Sequence, residues 1–390
     1  MIYYTLEEEI YLYLLFLVNR KIMGLFSQHK NYIGIDFGTS SVKLVELTQV
    51  QGEPRLVTYS YTDDVSQIIR LNTPQSYQQL AAIVQDMCKK AHTQSTHVVA
   101  ALPNFAVFSS VISVPSLKKD ELESAIQLEA KKFVPMPIEE TILDWRVIEK
   151  PEESKPEKIK KQKPSQLKDE KTQNSKSDHM EVLITAAPKT LVEKYLTIFK
   201  AAKLNLLSLE TESFALARSL AGKDSSTFMI IDLGAISTDI ILIENGVPVI
   251  SRSIDVGGQT ITAALKEHLG IDEKRAEQFK RDVGMTAGTQ ETEGMSRLIA
   301  SSFQSVINEV QYTLDLYRNR NKGTVQKVVL AGGSAFLSGM PEYIEKALSL
   351  PVYIGDAWQQ VSYPAELKPV LESLSPRFSI AIGLALRELV

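Results

Sequence analysis

An α/β protein of two similar lobes is the architecture that this sequence predicts, on three observations. Strand-like segments alternate with helical ones along the chain. A unit of strand, Asp-x-Gly turn and strand occurs twice, once at Asp36 and once at Asp232. The chain has 390 residues, more than one hydrophobic core usually organises, since cores stop growing near roughly 250–300 residues.

Taken in order, the apolar run Ile10 to Val18 is about half of the ~20 residues that a membrane-spanning helix needs. Glu7, Glu8 and Glu9 precede it and Arg20 and Lys21 follow, the reverse of a secretory signal. Met23 reads as a natural start, with residues 1–22 an upstream extension. The β-branched and apolar runs Tyr32 to Asp36, Val42 to Thr48, His97 to Leu102 and Phe108 to Val114 read as strands bounded by Gly, Pro or polar residues. Lys118 to Phe133 has a helical period, with Leu122, Ala125, Ile126 and Phe133 on one face, Ser116 as N-cap and Pro135 and Pro137 closing it. From Lys150 to His179 the composition shifts to Lys, Glu, Pro, Ser and Gln, which cannot bury enough surface to offset ordering, so a disordered insert is expected. Strands resume at Val182 to Ala186, Thr227 to Asp232, Asp239 to Glu244 and Val325 to Leu330. The helix Ser296 to Asn319 carries Ile299, Phe303, Val306, Val310, Leu314 and Tyr317 at spacings of three and four.

Hydrophobic residues at 44%, charged residues at 23%, a net charge of -4 and a pI near 5.9 describe a soluble chain without a global basic field. Direct binding of nucleic acid or anionic lipid is thereby disfavoured. The single Cys88 excludes an intramolecular disulfide or a multi-thiolate metal site and reads as a small buried hydrophobe.

The duplicated unit carries the chemistry. Ile35-Asp36-Phe37-Gly38-Thr39-Ser40-Ser41 leads into a strand and a turn at Gly52-Glu53-Pro54, and Ile231-Asp232-Leu233-Gly234-Ala235-Ile236-Ser237 leads into a strand and a turn at Gly246-Val247-Pro248. A strand-ending Asp offers a carboxylate to a hydrated Mg²⁺, and the glycine turn offers backbone amides to phosphate oxygens. Two such turns facing each other could clamp a polyphosphate, with Lys43 adding positive charge. Singly, each is an ordinary β-turn pattern. Gly332-Gly333-Ser334 forms a third glycine turn, which would let a flat base or ribose approach the backbone. Gly257 and Gly258 open a helix bearing Ile261, Leu265 and Leu269, and Glu277 and Lys280 stand three apart on one helical face, placed for ribose hydroxyls or for an ion pair.

The ordered set Asp36 to Lys43, Asp232 to Asp239, Asp255 to Thr260, Ala276-Glu277 with Lys280, and Gly332-Gly333 resembles the actin-like ATPase superfamily. Within it the chain resembles the PilM family, cytoplasmic proteins of the type IV pilus inner-membrane assembly complex. That resemblance is carried by Ala101-Leu102-Pro103, Val114-Pro115-Ser116, Glu121 to Ile126, Glu129-Ala130, Val134 to Pro137, Glu139-Glu140 and Leu143-Asp144-Trp145. These look like the small extra subdomain that the family shares with the cell-division protein FtsA.

The resemblance implies an actin-like fold of duplicated ribonuclease-H-like lobes with that extra subdomain. It implies ATP and Mg²⁺ as ligands. Asp36, Gly38, Thr39, Ser40, Ser41 and Lys43 would form the first phosphate loop, Asp232, Gly234 and Ser237 the second, with Asp36 and Asp232 holding the metal through water. Gly257 and Gly258 would line the cleft, Glu277 and Lys280 would meet ribose and adenine, and Gly332, Gly333 and Ser334 would lie beneath the base. Ala235 and Ile236 depart from the small, glycine-rich turn of relatives, so weak or no ATP hydrolysis is expected. The implied partner is the N-terminal cytoplasmic peptide of a PilN-type membrane protein, in a groove between first lobe and subdomain. A PilO-type protein and the pilus motor ATPase would be further contacts, in pilus functions such as twitching motility. Membrane association would come only through partners, at the inner face of the plasma membrane.

The expected partition is an extension at 1–30, a first lobe at 31–104 and 187–222, the subdomain at 105–149 and 180–186, the insert at 150–179, and a second lobe at 223–390. Two alternatives stand beside this reading. An acetate or sugar kinase could use the same first loop, and an FtsA-like protein would share the subdomain but carry an amphipathic membrane helix beyond the small-residue helix around Ala381, Gly383 and Ala385.

Overall fold

A computed structural model of the chain describes residues 30–63, 65–148, 179–285, 290–319 and 323–390. The expected upstream extension at 1–22, the start at Met23 and all but the last residue of the expected insert lie outside them.

Two five-stranded sheets repeat one topology. In the first, β1 (Tyr32–Phe37), β2 (Ser41–Val50) and β3 (Glu53–Asp63) form an antiparallel meander, and β4 (His97–Leu102) and β8 (Asn205–Thr211) add in parallel, giving the order β3-β2-β1-β4-β8. In the second, β9 (Phe228–Leu233), β10 (Thr238–Glu244) and β11 (Val247–Ile254) form the meander, and β12 (Val328–Ala331) and β13 (Val352–Ile354) add in parallel, giving β11-β10-β9-β12-β13. The likeness reaches the turns. Gln51 and Gly52 have φ of 54° and 88°, Asn245 and Gly246 of 52° and 76°, so both hairpins close through two left-handed residues, the twist that suits a two-residue β-turn. Each middle strand also slips register once, at Glu46/Leu47 and at Leu242/Ile243.

The helices are α1 (Ser66–Ile69), α2 (Pro74–Ala91), α3 (Lys119–Ala130), α4 (Lys189–Ala201), α5 (Glu212–Ala221), α6 (Gly258–Leu269), α7 (Glu273–Val283), α8 (Gln290–Asn319), α9 (Met340–Leu348) and α10 (Lys368–Leu386). The apolar stripe expected on α8 is buried at Ile299, Phe303, Val306, Val310, Leu314 and Tyr317. Cys88, on α2, is half-buried rather than a core residue.

Helices α5 and α10 share one core with both sheets. Leu216, Leu220, Phe378, Ala381 and Ile382 pack with Val45 and Leu47 of the first sheet and Phe228, Ile230, Ile241 and Val329 of the second. Small residues permit this closeness. A Cβ on Gly34 of β1 would stand 2.0 Å from the Ala381 carbonyl oxygen, and one on Gly383 would stand 1.9 Å from that of Ala215. Helix α10 therefore lies against the first sheet as well as the second.

Residues 106–191 form a second compact unit, separate from the body made by the rest of the chain. Its sheet has the order β5-β7-β6, from β5 (Phe108–Pro115), β6 (Thr141–Val147) and β7 (His179–Pro188), all antiparallel. Strand β7 thus begins at His179, where the expected insert ended. Helix α3 lays Leu122, Ile126 and Ala130 onto Ile112, Val114, Val182 and Ile184 of this sheet. Two expectations for the helix fail. Lys118, not Ser116, is the N-cap, and no side chain caps it. Phe133 is 48% exposed, because the helix ends at Ala130 and the following turn, closed by Val134 N–H donating to the Ala130 carbonyl at 2.9 Å, gives its core position to Val134.

Candidate functional site

The first Asp-x-Gly turn is a hairpin in which Asp36 stands opposite Lys43. The Lys43 ammonium donates to Asp36 Oδ2 at 2.9 Å, and Asp36 is 1% exposed. Its other oxygen, Oδ1, is buried with no hydrogen-bond partner. Such an orphaned acceptor is costly unless a ligand completes it. Gly38 leaves room for this pair, since a Cβ there would lie 2.8 Å from Lys43 Nζ and 3.2 Å from the Ser41 carbonyl oxygen. Thr39 and Ser40 form the half-buried bend, and Ser41 opens β2.

In the second hairpin the register sets Asp232 opposite Asp239, an acid where the first hairpin has a lysine. Asp232 lies under the third glycine turn. Gly332 has φ of 82°, and a Cβ on it would stand 2.5 Å from Asp232 Oδ1, so only glycine fits both the backbone and the neighbour. Burial, then the charges of Asp239 and Asp36, push the Asp232 carboxyl up to about 7 against the opposing pull of Lys43.

Two further carboxyls complete the cluster. Asp239 accepts from the Ser253 hydroxyl and from the Asn104 amide at 3.3 Å. Glu212, at the start of α5, accepts from the Asn104 backbone N–H at 2.9 Å. Burial above all, reinforced by Asp239, Asp36 and Asp232, raises the Glu212 carboxyl well above the carboxylate range. Four acids thus act on one another beside one ammonium, and burial with mutual repulsion favours the protonated form of Glu212 and Asp232.

Glycines draw the remaining pieces together. Gly258 N–H donates to the Gly234 carbonyl at 3.0 Å and Gln259 N–H to the Ala235 carbonyl at 2.7 Å, which ties the second turn to the start of α6. A Cβ on Gly257 would lie 2.7 Å from Gly234 O, and one on Gly258 would lie 2.7 Å from Ser334 Oγ and 3.2 Å from Lys280 Nζ. Gly333 borders the Arg377 side chain. Ser237 is half-buried just before β10. Glu277 and Lys280 share a face of α7 as expected, yet the structure gives them an internal task. Lys280 Nζ donates to Gly258 O at 3.0 Å, to Thr262 Oγ1 at 3.0 Å and to Glu277 Oε2 at 2.5 Å. Its three protons are spent fixing α6 to α7. Burial opposes ionisation of Glu277, but hydrogen bonds from Lys280 and Thr262 hold it below its ordinary value.

The sequence reading missed Glu212, Asp239 and Asn104. Asp239 was recoverable from the hairpin, because it occupies the position in the second unit that Lys43 occupies in the first. Glu212 and Asn104 carry no local pattern.

These features fit a polyanion with a hydrated cation. The glycines let the turns approach one another and the acids closely, and Asp36 presents an unpartnered oxygen. Among the described residues no three His, Cys, Asp or Glu side chains stand close enough to ligate one ion directly.

The model of the family "Type IV pilus assembly protein PilM" matches residues 34–162 and 168–389. The chain belongs to the PilM family. A solved PilM-PilN type IV pilus biogenesis complex shares its fold with a TM-score of 0.76 at 23% identity, over 93% of this chain and 100% of that one. MreB5 of Spiroplasma citri, solved with AMPPNP, has a TM-score of 0.50 at 14% identity, over 93% of this chain and 97% of that one. The cell division protein FtsA of Neisseria meningitidis serogroup B is 24% identical over 392 residues, spanning 92% of this chain and 90% of that protein. The fold of this PilM-family chain is that of the actin-like ATPases. Among the described residues no helix is long and apolar enough to cross a membrane.

Proposed function

We propose that the chain is an ATP-binding scaffold in type IV pilus assembly, which holds Mg–ATP at the duplicated turns and takes up the N-terminal peptide of a PilN-type membrane protein. The observation that carries the nucleotide half is the buried, unpartnered oxygen of Asp36 within a four-carboxyl cluster rimmed by glycine turns. In this reading the amides of 38–41 and 234–237 take phosphate oxygens, as glycine-rich turns do, and Lys43 adds charge. Asp36 and Asp232 hold the hydrated metal. Gly257, Gly258, Gly332, Gly333 and Ser334 line the nucleoside side, where Glu277 and Lys280 act by bracing α6 against α7. Bound Mg²⁺ would supply charge neutralisation at the phosphates. Hydrolysis is expected to be weak or absent, given Ala235 and Ile236 in the second turn.

The partner half rests on family membership and on the independent 106–191 unit, which leaves Leu128 67% and Phe133 48% exposed. An extended peptide with a few apolar anchors suits such a surface. The PilM of the solved complex carries PilN, and a partner of that type is proposed here, with PilO-type and motor proteins as further contacts and a peripheral place at the inner membrane face through them. The test is calorimetric. Wild type should bind Mg–ATP, and Asp36→Asn and Asp232→Asn should each weaken it at least about tenfold, as loss of charged contacts does. Unchanged affinity in both would reject the site. A PilN-type N-terminal peptide should bind saturably to wild type and to Asp232→Asn alike.

A further inference from the structure

Arg377, on α10, lies between two of the turns that form the site. The Gly332 N–H donates to the Pro376 carbonyl at 2.9 Å, which ties the third glycine turn to α10 one residue before the arginine. A Cβ on Gly333 would stand 3.8 Å from Arg377 Cγ. At its far end the guanidinium donates from Nη2 to Asp63 Oδ1 at 2.7 Å. Asp63 is the last residue of β3, paired with Ser41 where the first turn runs into β2. One side chain therefore reaches from the third glycine turn to the margin of the first.

The sheet register puts this cation on the face that carries the site. Asp36 on β1 stands opposite Lys43 on β2, and Lys43 stands opposite Tyr61 on β3. Directly opposite residues share a face, and neighbouring strands lie about 4.8 Å apart, so Asp36 and Tyr61 stand roughly 10 Å apart in one row. Arg377 covers the end of that row, with Cζ 5.0 Å from the Tyr61 ring centroid. The ring is itself held edge-on by buried Phe378, at 6.0 Å and 87°. Among the described residues Nη2 alone of the guanidinium nitrogens has a hydrogen-bond partner.

We propose that Arg377 is a further ligand-contacting residue of this site, which releases Asp63 and takes a phosphate group of the bound nucleotide. The proposal deepens the nucleotide reading and rests on it. The Asp63 side chain is 58% exposed and that of Arg377 29%, and ion pairs so open to water are weak. Giving one up costs little. Water can replace the guanidinium at Asp63, whereas a phosphate offers more charge and a two-oxygen edge that the planar guanidinium fork matches. The ammonium of Lys43 is already paired with buried Asp36 at 2.9 Å, so a polyphosphate at the first turn gains from a second cation. Stacking on Tyr61 keeps the fork aimed while it changes partner.

The test is a calorimetric titration of the full chain with Mg–ATP, with scanning calorimetry to show that each variant is folded. Arg377→Met should weaken binding about tenfold or more, the loss of one charge-assisted contact. Arg377→Lys keeps the charge and loses the fork, and should still weaken binding at least about threefold. It also serves should the methionine variant fail to fold. Asp63→Asn should act in the opposite direction and tighten binding at least about twofold, because the guanidinium is no longer engaged. A tie that only joins β3 to α10 predicts one sign for all three, since each substitution breaks it. The proposal is overturned if folded Arg377→Lys binds as tightly as wild type, which would leave only a diffuse effect of charge. It is equally overturned if Asp63→Asn weakens binding or leaves it unchanged. Absence of Mg–ATP binding by wild type would instead remove the nucleotide reading, and that titration comes first.

Discussion

The Asp232 carboxyl, raised to about 7 by burial and by its acidic neighbours, makes folding pay for the site in a pH-dependent way. Below its ordinary value of 3.8 the group is protonated whether the chain is folded or not, and it costs nothing. Between 3.8 and about 7 the unfolded chain has released the proton while the folded one retains it, so stability falls as pH rises. Above about 7 the penalty is complete. Asp232→Asn should therefore raise the melting temperature clearly at pH 8, less at pH 5.5 and hardly at pH 4, by scanning calorimetry. An equal gain at every pH would assign the effect to packing. Asp36 and Asp232 were legible in the sequence because the echo singles them out. Glu212 was not, because its meaning comes from Asn104 and Asp239, which tertiary structure alone brings to it.

At the level of elements, pattern reading worked where a segment is regular and failed where it stops. The stripe on α8 is periodic throughout, and every expected residue on it is buried. Helix α3 was extrapolated one turn too far, so Phe133 was placed in a core that Val134 fills. Close approaches were illegible, since a glycine in sequence does not name what it faces. Two glycines make opposite predictions on that ground. Gly383→Ala sets a Cβ 1.9 Å from a backbone oxygen and should cost about 1–3 kcal/mol or more, as overpacking does. Gly294→Ala, in α8 with nothing within 4 Å of its Cβ, should gain about 0.5–1 kcal/mol from helix propensity. Urea midpoints of the two variants, moving in opposite directions, check both.

For the whole molecule, the duplicated sheets followed from the repeated Asp-x-Gly unit, whereas the division at 106–191 was approached only through resemblance. That unit has an apolar core of its own, around Ile112, Ile126 and Ile184, and should open independently of the body. Native-state exchange in rising urea should release amides of 106–191 before those of β9 and β12, and simultaneous release would show one cooperative block. The placement of α10 against β1 bears on the order in which a nascent chain can fold. Gly34 leaves the ribosome more than 300 residues before the helix that packs on it, Lys368–Leu386. At roughly 5–20 residues per second, synthesis keeps the two apart for tens of seconds. Throughout that interval Val45 and Leu47 of the first hairpin lack the helix that covers them, so the growing polypeptide carries an open apolar face, a site for premature association, until Lys368–Leu386 has been made.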